Sequence, residues 1–455
     1  MKPYLHRLSR LIEQTRYESL SPVSIERAKA SFLDTLGVMF HGSRTQSSQV
    51  MYSWAKQQKV KGKSTVAGAG FKSSALFAAL CNGTSGHSVE MDDFHKESVI
   101  HPGVVIVPTV LAVGEEVGAS GQDCLLTLVL GYETMIRIGM ASLGTQHKMG
   151  FHPTATCGIF GSAAAASRLY GLKGDKVVHA LGISGTQAAG LLEYKTSGDW
   201  TKRLQAGMAS SRGILCAQLA LQGFTGPPTV LEGPYGFLKA FSEKYDAELI
   251  DQGLGERWMM ERISHKPYAS CRFSHAPIDA FLHILNRENL QAEEIEGVRV
   301  EVSEQAIRSV MHPEERKYKP ETVVDAQFSL PYCLAVAGLF RRVTPREFER
   351  ECLRDESILS FAHKVEAYPV ETFTKLYPSH NGCRVTVKAR GKAFVHEVKD
   401  SKGDPEAPLL SREIELKFKG LTDGILKASS QEKIIEAIGK LENLDSIEGI
   451  FREND

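Results

Sequence analysis

Residues 21–40, SPVSIERAKASFLDTLGVMF, are the stretch on which the fold reading turns. Ser21 followed by Pro22 offers a capping hydroxyl and a ring suited to a first helical turn. Ile25, Ala28, Phe32, Leu36 and Met39 then recur at spacings of three and four, the repeat that lines one face of a helix. Working outward, similar reading predicts helices over Ser74–Leu80, Val104–Val117, Gln122–Ser142, Cys157–Tyr170 and Asp175–Ala189. Gly158, Gly161 and the run Ala163–Ala166 leave room for helices to approach closely, and dense packing is the plain account of them.

The pattern changes near Ser264. Gly297–Val302, Lys364–Val370, Cys383–Ala389 and Ala393–Val398 alternate or run β-branched, as strands do. Helical stretches at Ser274–Glu288, Asp325–Phe340 and Pro345–Arg354 lie between them. Helix resumes after Lys402-Gly403-Asp404-Pro405. The expected fold class is therefore mainly α with an α+β insertion. Its parts would be a helical domain over 1–263, a smaller α+β lid domain over 264–404, and a helical return over 405–455.

A chain of 455 residues is too long for one ordinary core, which agrees with two domains. Lys+Arg and Asp+Glu both number 54, so no net field draws the chain to nucleic acid or to an anionic membrane. A substrate anion would be held by a few placed cations. The first twenty residues are amphipathic and lack a signal-type apolar core, so a cytoplasmic location is expected. The longest apolar runs, around Cys124–Leu130 and Ala163–Ala166, read as too short to cross a bilayer. Eight scattered cysteines form no CxxC, which fits neither a zinc ribbon nor an iron–sulfur cluster. A dehydration here would not be of the iron–sulfur kind.

The densest polar cluster is NGTSGHSVEMDDFHKESVIHPG, residues 82–103, with His87, Glu90, Asp92, Asp93, His95, Glu97 and His101. Imidazoles mixed with carboxylates suit a divalent ion or a set of acid–base groups, while a solvated loop is the bland alternative. No HExxH or comparable spacing fixes a metal, and none is expected. In KMGFHPT, residues 148–154, His152 stands at the mouth of a helix. The positive helix end disfavours its cation and favours a neutral imidazole able to accept a proton. Lys202 and Arg203 in SGDWTKRLQAGMA offer cations for a carboxylate, or only surface charge. KPYASCRFSH, residues 266–275, carries Lys266, Arg272 with its planar fork, and His275. Cys271 has no partner order that would make it a nucleophile, and Tyr332 taken alone reads as a packed core tyrosine.

Taken in order, FLDTLGVMFHG, the His/Asp loop ending in HPG, GFHPTATCGIFGSAAAASRLYGL, KRLQAGMAS, GFTGPPTVLEGPYGF, KPYASCRFSHAPIDA and DAQFSLPYCLAVA resemble the MmgE/PrpD family of dehydratases, decarboxylases and epimerases. The resemblance spans nearly the whole chain. It implies an all-helical domain plus an α+β lid, a homodimer, and an active site between the domains without metal or organic cofactor. It also implies roles. His101 and His152 would be acid–base or carboxylate-contacting residues, Lys202 and Lys266 carboxylate-binding cations, and Tyr332 a hydrogen-bond donor. His275 and Arg272 would complete the site from the lid, and Glu90 and Asp93 would line the substrate loop. One departure stands out. Where the decarboxylase and methylcitrate dehydratase branches read like DFDDT, this chain has Glu90-Met91-Asp92-Asp93-Phe94, with one extra residue before His101.

The expected chemistry is proton transfer next to a carboxylate in a small di- or tricarboxylate, which needs a placed acid or base and cations facing the developing charge. A lyase that expels water or CO₂ is the leading expectation. An epimerase of the iminodisuccinate type, reprotonating the same carbanion from the other face, is its enzymic rival. A non-catalytic carboxylate-binding protein on the same fold is the third.

Overall fold

In the computed structural model, which describes residues 3–377 and 379–451, the chain forms two units. The first takes Met1–Lys195, Trp200–Ser264 and Leu410–Asp455. The second takes Thr196–Asp199 and His265–Leu409. The helical return expected from residue 405 thus begins at Leu410, and the short segment Thr196–Asp199 was not separable in the sequence.

The first unit is built on helices whose starts were visible locally. Ser21 caps Pro22–Gly42, its hydroxyl accepting from the Ser24 amide at 3.0 Å. Ser120 caps Gly121–Ala141 in the same way, accepting from the Asp123 amide. Gly103–Val117, Gly121–Ala141 and Gly158–Leu169 are buried around most of their circumference, which an all-round apolar helix requires. Gly121–Ala141 corrects one expectation. At 21 residues it is long and apolar enough to cross a membrane, although its surroundings are the interior of the first unit.

Small residues set how closely these helices approach. A Cβ on Gly83 would lie 2.8 Å from the Gly207 Cα, so Ala75–Gly86 and Thr201–Leu221 touch backbone to backbone. A Cβ on Gly207 would strike the Leu80 carbonyl oxygen at 2.3 Å. This contact brings the end of the first helix, at His87, beside the start of the second, at Lys202. A short hairpin, β1 (Ser64–Val66) with β2 (Phe71–Ser73), was not anticipated. Its turn needs positive φ at Gly68 and Gly70.

The second unit holds a sheet of β3 (Ile295–Val302), β4 (Val365–Pro369), β5 (Cys383–Ala389) and β6 (Lys392–Val398), in the order β4-β3-β5-β6. β3 pairs parallel with β4 and antiparallel with β5, which continues antiparallel to β6. Val298, Val300, Val385 and Val387 face inward, and helix His275–Arg287 packs on β5 and β6. The helix expected over Asp325–Phe340 is two, Val323–Gln327 and Leu330–Phe340. Ser329 breaks them by capping the second, accepting from the Tyr332 amide, while Pro331 has no N–H to continue the first. Pro345–Arg354 forms two short 3-10 turns, Pro345–Phe348 and Cys352–Arg354, rather than a helix.

Candidate active site

The loop after Ala75–Gly86 turns its polar side chains inward instead of toward water. His87, Glu90, Asp92, Asp93 and His95 are all buried. The loop is held from outside by Lys417, whose ammonium donates to the Met91 carbonyl at 2.6 Å and pairs with Asp34 at 2.5 Å. Phe94 and Ser264 exchange backbone hydrogen bonds at 2.9 and 2.8 Å. Such anchoring fixes imidazoles and carboxylates in one arrangement, as an acid–base site requires.

Asp92 is the hinge of that arrangement. Its Oδ2 lies 2.8 Å from His87 Nδ1 and 2.9 Å from His101 Nδ1. A carboxylate only accepts, so both rings carry their proton on Nδ1 and present a lone pair at Nε2. His101 Nδ1 also donates to the Asp93 carbonyl at 2.9 Å. One nitrogen from each histidine and a carboxylate oxygen lie within 4.8 Å of one another, a spacing that would suit a metal ion. In this structure the Nδ1 of each ring is hydrogen-bonded to the Asp92 carboxylate.

His152 joins the two from another element. Its amide donates to the Gly190 carbonyl at 3.0 Å, and Pro153 starts the short helix Pro153–Thr156 directly after it. The His101 amide donates to Thr154 Oγ1 at 3.1 Å, which ties that helix to the loop. The rings of His87 and His152 stack, 5.6 Å between centroids and 7° between planes, and His101 is 5.0 Å from His87. His152 Nδ1 lies 2.8 Å from Gln205 Oε1, while Gln205 Nε2 donates to the Leu191 carbonyl. That orientation of the amide leaves His152 with a lone pair at Nε2. Burial, then the neighbouring His87 and Lys202, holds His152 well below the ordinary histidine range, so it is neutral at pH 7.

Lys202 closes the group. It forms a buried ion pair with Glu90, whose backbone sits at φ +53°, a region L-residues rarely adopt. Strain of this kind persists where the surroundings enforce it, often at functional sites. The neighbouring Arg203 is also buried and donates to Ser47 Oγ at 2.8 Å.

Not every expected residue serves this cluster. Asp93 accepts from the Gly103 amide at 2.8 Å and from the Tyr132 hydroxyl at 2.7 Å. Burial pushes its carboxyl up to about 8. Both oxygens of Asp93, expected to line the substrate loop, are thus committed to the scaffold, and it is the Asp92 carboxylate that meets the histidines. His87 was likewise visible only as one polar residue in a crowd. The sequence signal it carried was its position just past a small-residue helix.

The other expected residues belong to the second unit, where several have internal partners. Arg272 pairs with Asp404 at 2.6 Å, donates to the Ser401 and Lys402 carbonyls, and donates to His275 Nδ1 at 2.8 Å. His275 Nε2 in turn donates to the Ser270 carbonyl at 3.1 Å, so both its nitrogens are occupied. Tyr332 is fully buried and gives its hydroxyl proton to the Glu347 carbonyl at 2.9 Å, as a core tyrosine does. Lys266 is fully buried as well.

The MmgE/PrpD N-terminal domain matches residues 6–250, and the MmgE/PrpD C-terminal domain matches residues 268–443. A cis-aconitate decarboxylase of Aspergillus terreus is 29% identical over 449 residues, covering 93% of this chain and 90% of its own. The human cis-aconitate decarboxylase is 27% identical, with 92% and 88% covered. A 2-methylcitrate dehydratase of Salmonella typhimurium is 25% identical over 223 residues, covering 48% of this chain and 45% of its own.

Proposed function

The chain belongs to the MmgE/PrpD family, and from that premise we propose that it is a lyase acting on a small di- or tricarboxylate, decarboxylating a substrate of the cis-aconitate class. The observation that carries the reading is the buried group of three histidines around Asp92 and Lys202. Two partners distinguish the rings. His101 is backed by a carboxylate, which stabilises an imidazolium, so once its Nε2 has taken a proton from solvent it is the proton donor. His152 is backed by a neutral amide and remains an acceptor.

In decarboxylation the C–C bond to the departing carboxylate breaks and its electron pair moves through the adjacent double bond. His101 protonates the far carbon, and CO₂ leaves. Lys202 faces the carboxylate on which negative charge gathers. Lys266, and Arg272 to the extent that Asp404 releases it, are proposed as further carboxylate-binding cations. Likeness to decarboxylases along nearly the whole chain, against half of it for the dehydratase, supports taking CO₂ loss as the first reading. Dehydration is the second reading. There His152 would take the α-proton while His101 protonates the departing hydroxyl. Assembly as a homodimer belongs to the same proposal, and light scattering of the purified chain checks it.

NMR of the purified protein in heavy water, with cis-aconitate and with 2-methylcitrate, tests the reading. CO₂ release with one deuteron on the new methylene supports it. Solvent exchange into recovered substrate, without loss of CO₂ or water, would replace it with the epimerase. No reaction and no exchange would leave a binding protein.

A further inference from the structure

His87 has no role in the mechanism just given, yet its Nε2 is buried and makes no hydrogen bond. Leaving a buried polar atom without a partner costs about 1–3 kcal/mol, so a ligand is the natural occupant. The charges around it frame what that ligand needs. Lys202 and Arg203 stand against Glu90 and Asp92, two cations against two anions. Among these four side chains no positive charge is left over for a substrate that carries several carboxylates. A buried group that can take a proton would supply a further one beside His101 and the proposed lid cations.

We propose that His87 is a carboxylate-binding residue whose cation forms on demand: it takes a proton from solvent as the substrate enters and holds one substrate carboxylate through Nε2–H. The geometry favours His87 for this. Asp92 receives its Nδ1–H at 2.8 Å and would stabilise the imidazolium. His87 also caps the C-terminal end of helix Ala75–Gly86, where the backbone carbonyls favour a cation. His152, next to it, precedes a helix and leans on an amide.

The groups facing His87 are Asp92 and His101 from its own loop, Lys202 from helix Thr201–Leu221, and His152 from the turn before Pro153. With protein groups alone around it, burial comes first and, with Lys202 and His101, outweighs Asp92, holding His87 down to about 4. A bound carboxylate adds the opposite charge at Nε2 and raises it. Binding and proton uptake are then one event. The inference rests on the carboxylate-lyase reading for its ligand, but its test needs no turnover.

The probe is tricarballylate, a saturated tricarboxylate with no double bond or hydroxyl to react. Calorimetry at pH 7 in two buffers of different ionisation enthalpy counts protons taken up per molecule bound. About one is expected for the parent protein. In His87→Asn, whose amide can still donate to Asp92, uptake falls below half and affinity drops about tenfold or more. His87→Gln, offering a fixed N–H near the Nε2 position, binds without uptake. His152→Asn keeps the uptake. Unchanged uptake in both His87 variants, equal loss in His152→Asn, or no binding of tricarballylate by the parent each overturns the proposal. Failure to turn over cis-aconitate by a protein that binds tricarballylate with uptake would sink only the lyase reading.

Discussion

The two units treat the same kinds of residue in opposite ways. In the first, imidazoles and carboxylates from a loop, a short turn and a helix start are buried together. One ring nitrogen is left with nothing to bond. In the second, Arg272, His275 and Tyr332 are just as buried, but they bond to backbone carbonyls and to Asp404 within their own unit. His275 and Tyr332 have their polar side-chain atoms bonded within the fold, as structural residues do, whereas His87 Nε2 and Arg272 Nε are buried without a partner. The histidines gathered in the first unit support the proposal of acid–base chemistry there.

The largest effect should come from His101, the proton donor of the proposed decarboxylation. His101→Ala is expected to lower kcat by about 10²–10⁴-fold, with little change in the melting curve, whereas His152→Ala should match it only if the reaction is a dehydration. A loss of stability with full specific activity would move His101 to the structural side of the comparison. Next is Arg272→Ala, which takes the guanidinium away from the buried Asp404 carboxylate and should cost about 3 kcal/mol of the second unit's stability. Denaturant unfolding measures it, and a stable variant lacking activity would return Arg272 to the substrate.

A smaller, pH-dependent effect belongs to Asp93. Its folded carboxyl titrates near 8, above the ordinary carboxylate range, so the stability tied to its proton is present below about pH 4. That stability is lost as pH rises toward 8. Asp93→Asn stays neutral and can keep both hydrogen bonds. Its melting temperature should therefore gain on the parent's from pH 5 to pH 8 and hold that gain above. A gain that falls with rising pH would mean the carboxylate is ionised in the fold. The smallest effect is Tyr332→Phe, about 1 kcal/mol of stability for one hydrogen bond and no change in KM. A raised KM would show that the hydroxyl reaches substrate after all.

Much of this was legible beforehand, and the particulars show why. Ser21-Pro22 and the spacing from Ile25 to Met39 are local, so the helix Pro22–Gly42 follows from them. The strand Cys383–Ala389 matches its sequence bounds because alternation is local too. The break at Ser329 was missed because an apolar pattern runs across it while a single cap ends one helix and begins another. Within the loop, Asp92 and Asp93 are adjacent and chemically alike. Which one meets His87 and His101, and which meets Tyr132, depends on the directions their Cα–Cβ bonds take once Lys417 and Ser264 have fixed the backbone.

The sequence by itself determined the helical body with its α+β insertion, the family, and the loop and turn that carry the histidines, because caps, periodicity and ordered motifs are short-range. Only the tertiary structure decided which proton sits on which nitrogen, that Glu90 occupies Lys202, and that His87 is left with an open valence. Those outcomes depend on distances between residues up to 112 positions apart, and the glycine contact between Gly83 and Gly207 is what lets the loop meet Lys202.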